Sequence, residues 1–333
     1  MANAVFSPKD FKAWIIEEVT TGTAPAITSA LFQLDVDAIA FPSLNVTQVS
    51  NVRSQTGRIA HINDFYQDNE LRTVEVSLSG TWHNDAGHSM LLESAANVAM
   101  SATVANVVVG EAPTSVGGKY GESEGNKTFT LVLASPDTTD GQNIVIPGCL
   151  CTNFTINADM GTDGGQYKWS CTVSSGKVID LTNGDTPAGT AYGATHVSMP
   201  LIDISEVKIF NLATPVLSSF SVSIDSPAVY SGVAEGGGYA CFGRGEEIAI
   251  TASAQIKLDS LTMELPDLFD NQDAHIAAGL FIINQATDAH TSIAIPCGIL
   301  TNVAYAPGDI MMLDVEMKAL NNGSADPITF TLA

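Results

Sequence analysis

The chain repeats itself, and this constrains its fold more than any other feature it has. Ile144, Ile146, Pro147, Thr152 and Asn153 match Ile293, Ile295, Pro296, Thr301 and Asn302 at one constant spacing, without a gap. Just upstream, at the same spacing, Leu131-Val132-Leu133 aligns with Leu280-Phe281-Ile282. Further matches pair Val74-Glu75-Val76-Ser77 with Ile248-Ala249-Ile250-Thr251, and Ser43-Leu44-Asn45-Val46-Thr47 with Ser219-Phe220-Ser221-Val222-Ser223. The alternating stretch Tyr167 to Ser174 matches Met311 to Lys318. The order is collinear and the spacing changes only in loops, which is how two diverged copies of one unit read. A length of 333 residues suits two cores better than one.

Each copy reads as mainly β with a few short helices. Hydrophobic residues make up 45% of the chain and charged ones 15%, a balance that suits packed strands joined by turns. Val74, Val76 and Leu78 alternate with polar neighbours, as do Tyr167, Trp169, Cys171 and Val173, the period of a half-buried strand. Strands are expected over 73–82, 129–134, 143–156 and 167–174. Ser7, Pro8 and Asp10 form a helix-start signal ahead of Phe11, Ile15 and Val19, which predicts a short docking helix. A second helix is expected over 85–103, capped by Asn84 or Asp85, with Leu91, Ala95, Val98 and Ala102 on one face. The Gly/Thr/Ala-rich stretch from Asn183 to Val197 reads as a linker. The organisation is then an N-terminal segment 1–26, a first copy 27–182, a linker 183–197 and a second copy 198–333.

Charge excludes some partners. Asp plus Glu number 36 against 13 Lys plus Arg, a net charge of -23, so the chain is a poor ligand for a phosphate backbone or an anionic membrane. Five cysteines carry no zinc spacing and read as buried reduced thiols. Lys9, Lys12, Glu17 and Glu18 interrupt the first apolar residues, so no signal peptide is expected there, and no apolar run reaches the length of a membrane span.

The segment IVIPGCLCTNFTINADMGTDGGQYKWSCTVSSG, Ile144 to Gly176, resembles the C-terminal hairpin of phage tail tube (major tail) proteins, and Ile293 to Gly323 resembles it again with a shorter turn. The resemblance implies two tandem tail-tube-like β-sandwich or half-barrel domains with a flanking helix, whose inner sheet joins those of neighbours into one continuous barrel. It implies a non-enzymatic virion protein of a long-tailed phage, assembled in the bacterial host cytoplasm. A duplicated chain would form homotrimeric, pseudo-hexameric rings stacked into a tube that conducts DNA during ejection, with tape measure, tail terminator and tail-tip proteins as further partners. It also implies that the polar loop between Ser50 and Arg72 reaches the adjacent ring, through Arg53, Arg58, Phe65, Tyr66 and Asp68. Acidic residues facing the lumen would keep DNA from sticking. A duplicated sandwich that binds or decorates a virion or cell surface is the alternative.

No catalytic, cofactor or metal residue is assigned. His83, Asp85 and His88 lack a zinc motif and sit at a strand-to-helix turn, where such residues cap. Asn157, Asp159, Asp163 and Gly164 hint at a calcium loop, but the glycine is misplaced and no bidentate Glu follows. There is no GxSxG, P-loop or dinucleotide fingerprint.

Overall fold

A computed structural model describes residues 7–28, 30–42, 47–50, 65–68, 73–98, 100, 107–109, 128–136, 142–177, 179–183, 185–192, 201, 204–209, 212–213, 215–233, 239–245, 248–260, 262–263, 281–285, 291–320 and 327–332. The protein is mainly β with one α-helix among these residues.

The first half begins with β1 (Lys12–Glu17), β2 (Leu31–Gln33), β3 (Ala38–Ala40), β4 (Thr47–Ser50), β5 (Phe65–Asp68) and β6 (Val74–Thr81). Then come α1 (Ala86–Ala95), β7 (Val107–Val109), β8 (Phe129–Ala134), β9 (Gln142–Asp159), β10 (Lys168–Ser175), β11 (Asp180–Asn183) and β12 (Gly189–Thr190). The second half has β13 (Ile204–Ile209), β14 (Leu212–Ala213), β15 (Leu217–Asp225), β16 (Ala228–Val233), β17 (Tyr239–Arg244) and β18 (Ala249–Lys257). It ends with β19 (Phe281–Gln285), β20 (Thr291–Ile295), β21 (Gly298–Ala306), β22 (Met312–Ala319) and β23 (Ile328–Leu332).

One long antiparallel run crosses both halves in the order β3-β6-β10-β9-β15-β18-β22-β21. A second layer is built twice, as β12-β2-β1-β8-β9-β11 in the first half and β14-β13-β19-β20-β23-β7 in the second. Strand β9 serves both layers because it passes through Pro147-Gly148, where Gly148 takes φ 67°. A Cβ there is disfavoured by the backbone alone. The second half has Pro296-Cys297 at this place, and the strand divides there into β20 and β21.

Between the layers lies the core. Val74, Val76 and Leu78 of β6, Trp169, Cys171 and Val173 of β10, and Val222, Ile224, Ile250, Ile256, Leu313 and Met317 of the second half all point into it. Asp85 caps α1 by accepting from the His88 N–H at 2.9 Å. The helix stops at Ala95 rather than 103, because Asn97 turns into the left-handed region at φ 57° and closes its C-terminus. It is buried nearly all round, inside the sandwich.

The N-terminal segment departs from expectation. Ser7 does close a capping box with Asp10, but over a single 3-10 turn, Pro8–Asp10, and a strand follows in place of a helix. Ala13 and Ile15 face the main core while Trp14 joins Ile27, Leu31, Val132, Ala134 and Val145 on the other face. That period of two, with β2 and β8 on either side, overrides the helical spacing of Phe11, Ile15 and Val19. Val19 is fully exposed. The stretch read as a linker contributes β12, which pairs parallel to β2 at Leu31. A Cβ on Gly189 would sit 1.9 Å from the Leu31 carbonyl, so only glycine fits.

Pairing registers refine the sequence matches. In both halves the bulge falls at the Thr-Asn step: β9 skips Thr152 between Cys151↔Val173 and Asn153↔Thr172, and β21 skips Thr301 between Leu300↔Met317 and Asn302↔Glu316. Counting outward from there, Leu131-Val132-Leu133 corresponds to Phe281-Ile282-Ile283, one residue beyond the sequence match. Val74 corresponds to Ile250 rather than Ile248. The partner of β6 is Ala38–Ala40, which stands where Ser219–Ser221 stand against β18, whereas residues 43–46 of the sequence match lie outside the described residues.

Buried polar groups tie distant elements together. Glu18 accepts from Gly22 N–H at 2.6 Å, Thr128 Oγ1 at 2.5 Å, Thr130 Oγ1 at 2.6 Å and Gly148 N–H at 2.7 Å, so its carboxylate is met on every side. Trp82 Nε1 donates to Thr291 Oγ1 at 2.8 Å, a bond from the first half to the second.

Candidate functional site

Among the described residues the long sheet has an open face, and β3 and β21 are its two edge strands. On the open face stand Ser77, Ser79, Thr172, Asn153, Thr155, Asn157, Ser221, Ser223, Ser253 and Gln255, the alternate positions to the core residues. Charges there are sparse: Glu75, Asp159, Asp225, Asp314 and Glu316 against Lys168, Lys257 and Lys318. A groove of about 370 Å³ runs across β9, β15, β18, β22 and β21, walled by Asn157, Asp159, Ser221, Gln255, Asp314 and Glu316. Short hydroxyls and amides with a slight acidic excess give a wet surface that offers phosphate little to hold.

At the centre of the run, the last strand of the first half meets the first strand of the second. β9 pairs β15 from Asn153↔Asp225 to Asp159↔Ser219, and this junction buries Phe154, Ile156, Phe220 and Val222 to 3% exposure or less. Tyr167 stacks edge-on against Phe220 across it, with ring centroids 5.0 Å apart.

By register, the edge strand β21 carries the same positions uncovered. On β21, Val303 and Tyr305 correspond to Phe154 and Ile156, yet Tyr305 is 53% exposed where Ile156 is 0%. Met311, at the position of Tyr167, is 42% exposed. At the other end, Ile39 and Phe41 correspond to Phe220 and Val222 and are half-buried, Phe41 with the Phe11 ring edge-on against it at 5.0 Å between centroids. Edge strands that present apolar side chains in this way invite another strand.

A hairpin reinforces the internal junction. β16 and β17 fold from the second half onto the first, where Phe242 comes against Gly148 and Tyr230 and Tyr239 against Gly176. A Cβ added to either glycine would lie 2.9 Å or closer to these rings. Tyr239 N–H donates to the Gly176 carbonyl at 2.9 Å. From the end of β17, Arg244 enters the first half: Nη1 donates to the carbonyls of Cys151 at 2.8 Å and Ser226 at 2.6 Å, and Nη2 to that of Ser94 at 2.5 Å, near the C-terminus of α1. Burial pulls the Arg244 pKa down from its ordinary value.

Of the loop residues picked from sequence, Arg53 and Arg58 lie outside the described residues. Phe65, Tyr66 and Asp68 come together on β5, in the hairpin β4–β5, which comes between β3 and β6 in chain order as β16–β17 comes between β15 and β18. Carrying the β3 and β6 registers along the two arms sets Val49↔Tyr66 on Tyr230↔Phe242 and Thr47↔Asp68 on Ala228↔Arg244. By count along the chain, Tyr66 and Asp68 correspond to Phe242 and Arg244. Sequence reading did not single out Ile39, Val303 and Tyr305, which lie on the edge strands, or Arg244, whose bonds join the two halves.

The residues with metal or nucleophile chemistry have structural partners. His83 Nε2 and Asp35 Oδ2 lie 2.7 Å apart, and His88 Nδ1 is 2.8 Å from Asp85 Oδ1 while its Nε2 accepts from the Asp35 N–H at 3.3 Å. Among the described residues no group of three or more His, Cys, Asp or Glu could hold a metal ion. Asp159 Oδ1 accepts from Gly161 N–H at 2.7 Å, closing a turn. Burial pushes the Cys149 and Cys171 thiols well up, which keeps them protonated and unreactive. No described helix is long and apolar enough to cross a membrane.

His83 makes stability depend on pH. Burial, outweighing the bond to Asp35, lowers its pKa below 6.5. The unfolded chain then takes up a proton first, so folding stability is fully present above 6.5 and is lost as pH falls from there through the lower folded value. Replacing His83 by Gln should flatten this part of a stability-against-pH curve measured by urea unfolding. An unchanged slope would assign the effect to other groups.

No protein-family model matches this chain, and no curated protein sequence does.

Proposed function

We propose that the protein is a tail tube subunit: a structural, non-enzymatic virion protein whose copies add edge to edge into rings, and whose rings stack into a conduit for DNA. What carries this reading is that each open edge matches one side of a junction already made inside the chain. β21 can do to the next chain's β3 what β9 does to β15, and in the same direction. Such a contact is heterologous, so it propagates until it closes into a ring.

Tandem tail-tube domains account for the repeated strand order, the repeated bulge at the Thr-Asn step and the two-layer build of each half. Three chains would bring about 24 strands to the wall, and at ~4.8 Å per strand the backbone circle measures roughly 37 Å across, wide enough to pass a double helix. The hydroxyl-rich open face would line it. Most of the -23 charge then lies elsewhere than the described lumen face, and DNA passes a surface that neither grips nor strongly repels it. The tip loop with Arg53 and Arg58 would reach the adjacent ring, and tape measure, terminator and tip proteins would complete the virion tail.

Negative-stain electron microscopy of the purified protein, alone and with particles that contain it, tests this. Rings or hollow tubes with three chains per ring are expected. Isolated compact particles at high concentration, with no addition to tail-tip complexes, would overturn it and favour a binding or decoration protein.

A further inference from the structure

From the two ends of the long sheet we infer which surfaces meet when rings stack, an inference that rests on the ring reading. The turn end of one copy, through Met160, Val216 and Ile310, lands on the outer face of the β16–β17 hairpin of a copy in the next ring.

Strand direction puts these three residues at one end. β9 finishes there at Asp159, β15 starts there at Leu217, β18 finishes at Lys257, and β21 turns into β22 between Ala306 and Met312. Backbone bonds carry the ladder a step past the strands. Met160 N–H donates to the Ser218 carbonyl at 3.0 Å, Lys257 N–H to that of Val216 at 2.9 Å, and Leu258 N–H to that of Met311 at 2.9 Å. The turns are thereby held in one row, and their side chains belong to one surface. Met160 is 45% exposed, Val216 57% and Ile310 62%. Single apolar side chains on a surface need no explanation, but a row of them at one end of a sheet does.

The row crosses the internal junction: Met160 comes from the first half, Val216 and Ile310 from the second. A ring that repeats the junction joins the rows of its chains into one circle. At these exposures the three side chains show roughly 300 Å² per chain, an ordinary patch for a lone chain. Three chains show roughly 900 Å², about what each side of a stable interface buries. A body that covers the whole circle needs the same circumference, which another ring has.

The opposite end supplies the seat. β16 continues from β15 past Asp225 and β17 leads into β18 at Ala249, so their hairpin stands at that end. Tyr230 and Phe242 turn toward the first half, at Gly176 and Gly148. Alternation turns Val229 the other way, where it is 49% exposed and pairs with Gly243. A Cβ added to Gly243 would meet nothing closer than the Val229 carbonyl at 3.9 Å, so the space above it is free. A valine beside a bare glycine is a low apolar seat for a side chain of the size of Ile310. Because the two ends differ, stacking is head-to-tail and stays open, which extends a tube instead of closing a pair of rings.

The test compares the full chain with two variants, Val216→Asp combined with Ile310→Asp at one end and Val229→Asp at the other. All three side chains are about half exposed or more, so the melting temperature should hold in both. Sedimentation velocity and negative-stain electron microscopy then count rings and tubes separately at one concentration. Both variants are expected to close rings of three chains that do not stack. Tubes of ordinary length from either variant would overturn the stacking faces and leave the ring standing, as would rings of the unaltered chain that never stack. Rings lost together with tubes would place these residues in the lateral contact and overturn the inference too. An unaltered chain that forms no ring would remove both readings.

Discussion

Replacing Tyr305 by aspartate is expected to abolish assembly while the chain stays folded. Tyr305 is 53% exposed on the open edge of β21, so the substitution meets little in the isolated chain and should move its melting temperature only slightly. In the ring, the same side chain takes the place of Ile156, which the internal junction buries completely, and by register it faces Phe41 of the neighbour. An uncompensated carboxylate there costs about 3–5 kcal/mol per junction. That weakens each contact by roughly two to three and a half orders of magnitude. Sedimentation velocity reads the result directly: a single slow species in place of rings. Val19→Asp, at a fully exposed position away from both edges, should assemble as the unaltered chain does. Rings from Tyr305→Asp at normal concentration would show that β21 is not the joining edge.

The second large effect is on the fold. Arg244→Ala should destabilise the chain by about 3–5 kcal/mol, measured by urea unfolding. The guanidinium belongs to the second half, but two of its three carbonyl partners, Ser94 and Cys151, belong to the first. Truncation leaves those carbonyls buried and unpaired, at about 1–3 kcal/mol each before relaxation. It also removes a cation from beside the C-terminus of α1, where the helix dipole favours one. Because the lost bonds cross the junction, the transition should broaden or split as the halves cease to unfold together. A loss below about 1 kcal/mol would mean that water replaces the guanidinium and that packing alone joins the halves.

These two residues mark the limit of what sequence discloses. The strands over Val74–Thr81 and Lys168–Ser175 are legible because one face is buried and the other wet, so hydrophobicity alternates. Asp85 is legible as a cap because its chemistry is local. β1 is not, since a strand sandwiched by β2 and β8 buries Ala13, Trp14 and Ile15 on both faces and shows no alternation. β8 is legible as a strand over Phe129–Ala134 but not in its register: with every residue buried, nothing in Leu131-Val132-Leu133 fixes it, and the alignment slips by one. The two-residue slip at β6 keeps each side chain on its face and so leaves the pattern intact. Tyr305 looks like any strand aromatic until its edge is known to be open. Phe65, Tyr66 and Asp68 draw attention because they lie in a long polar stretch, and the structure places them on β5.

The pairing of β7 with β23 bears on how the chain is made. Val107, Val108 and Val109 belong to the first half, yet they complete the second half's sheet against Phe330, Thr329 and Ile328, which are made long after them. Contacts that close so long a loop form late and slowly. Until β23 has been made, three consecutive valines wait without their strand. A nascent copy that meets another's β23 first would exchange strands with it, so the crowding of chains during synthesis sets how many finish as themselves.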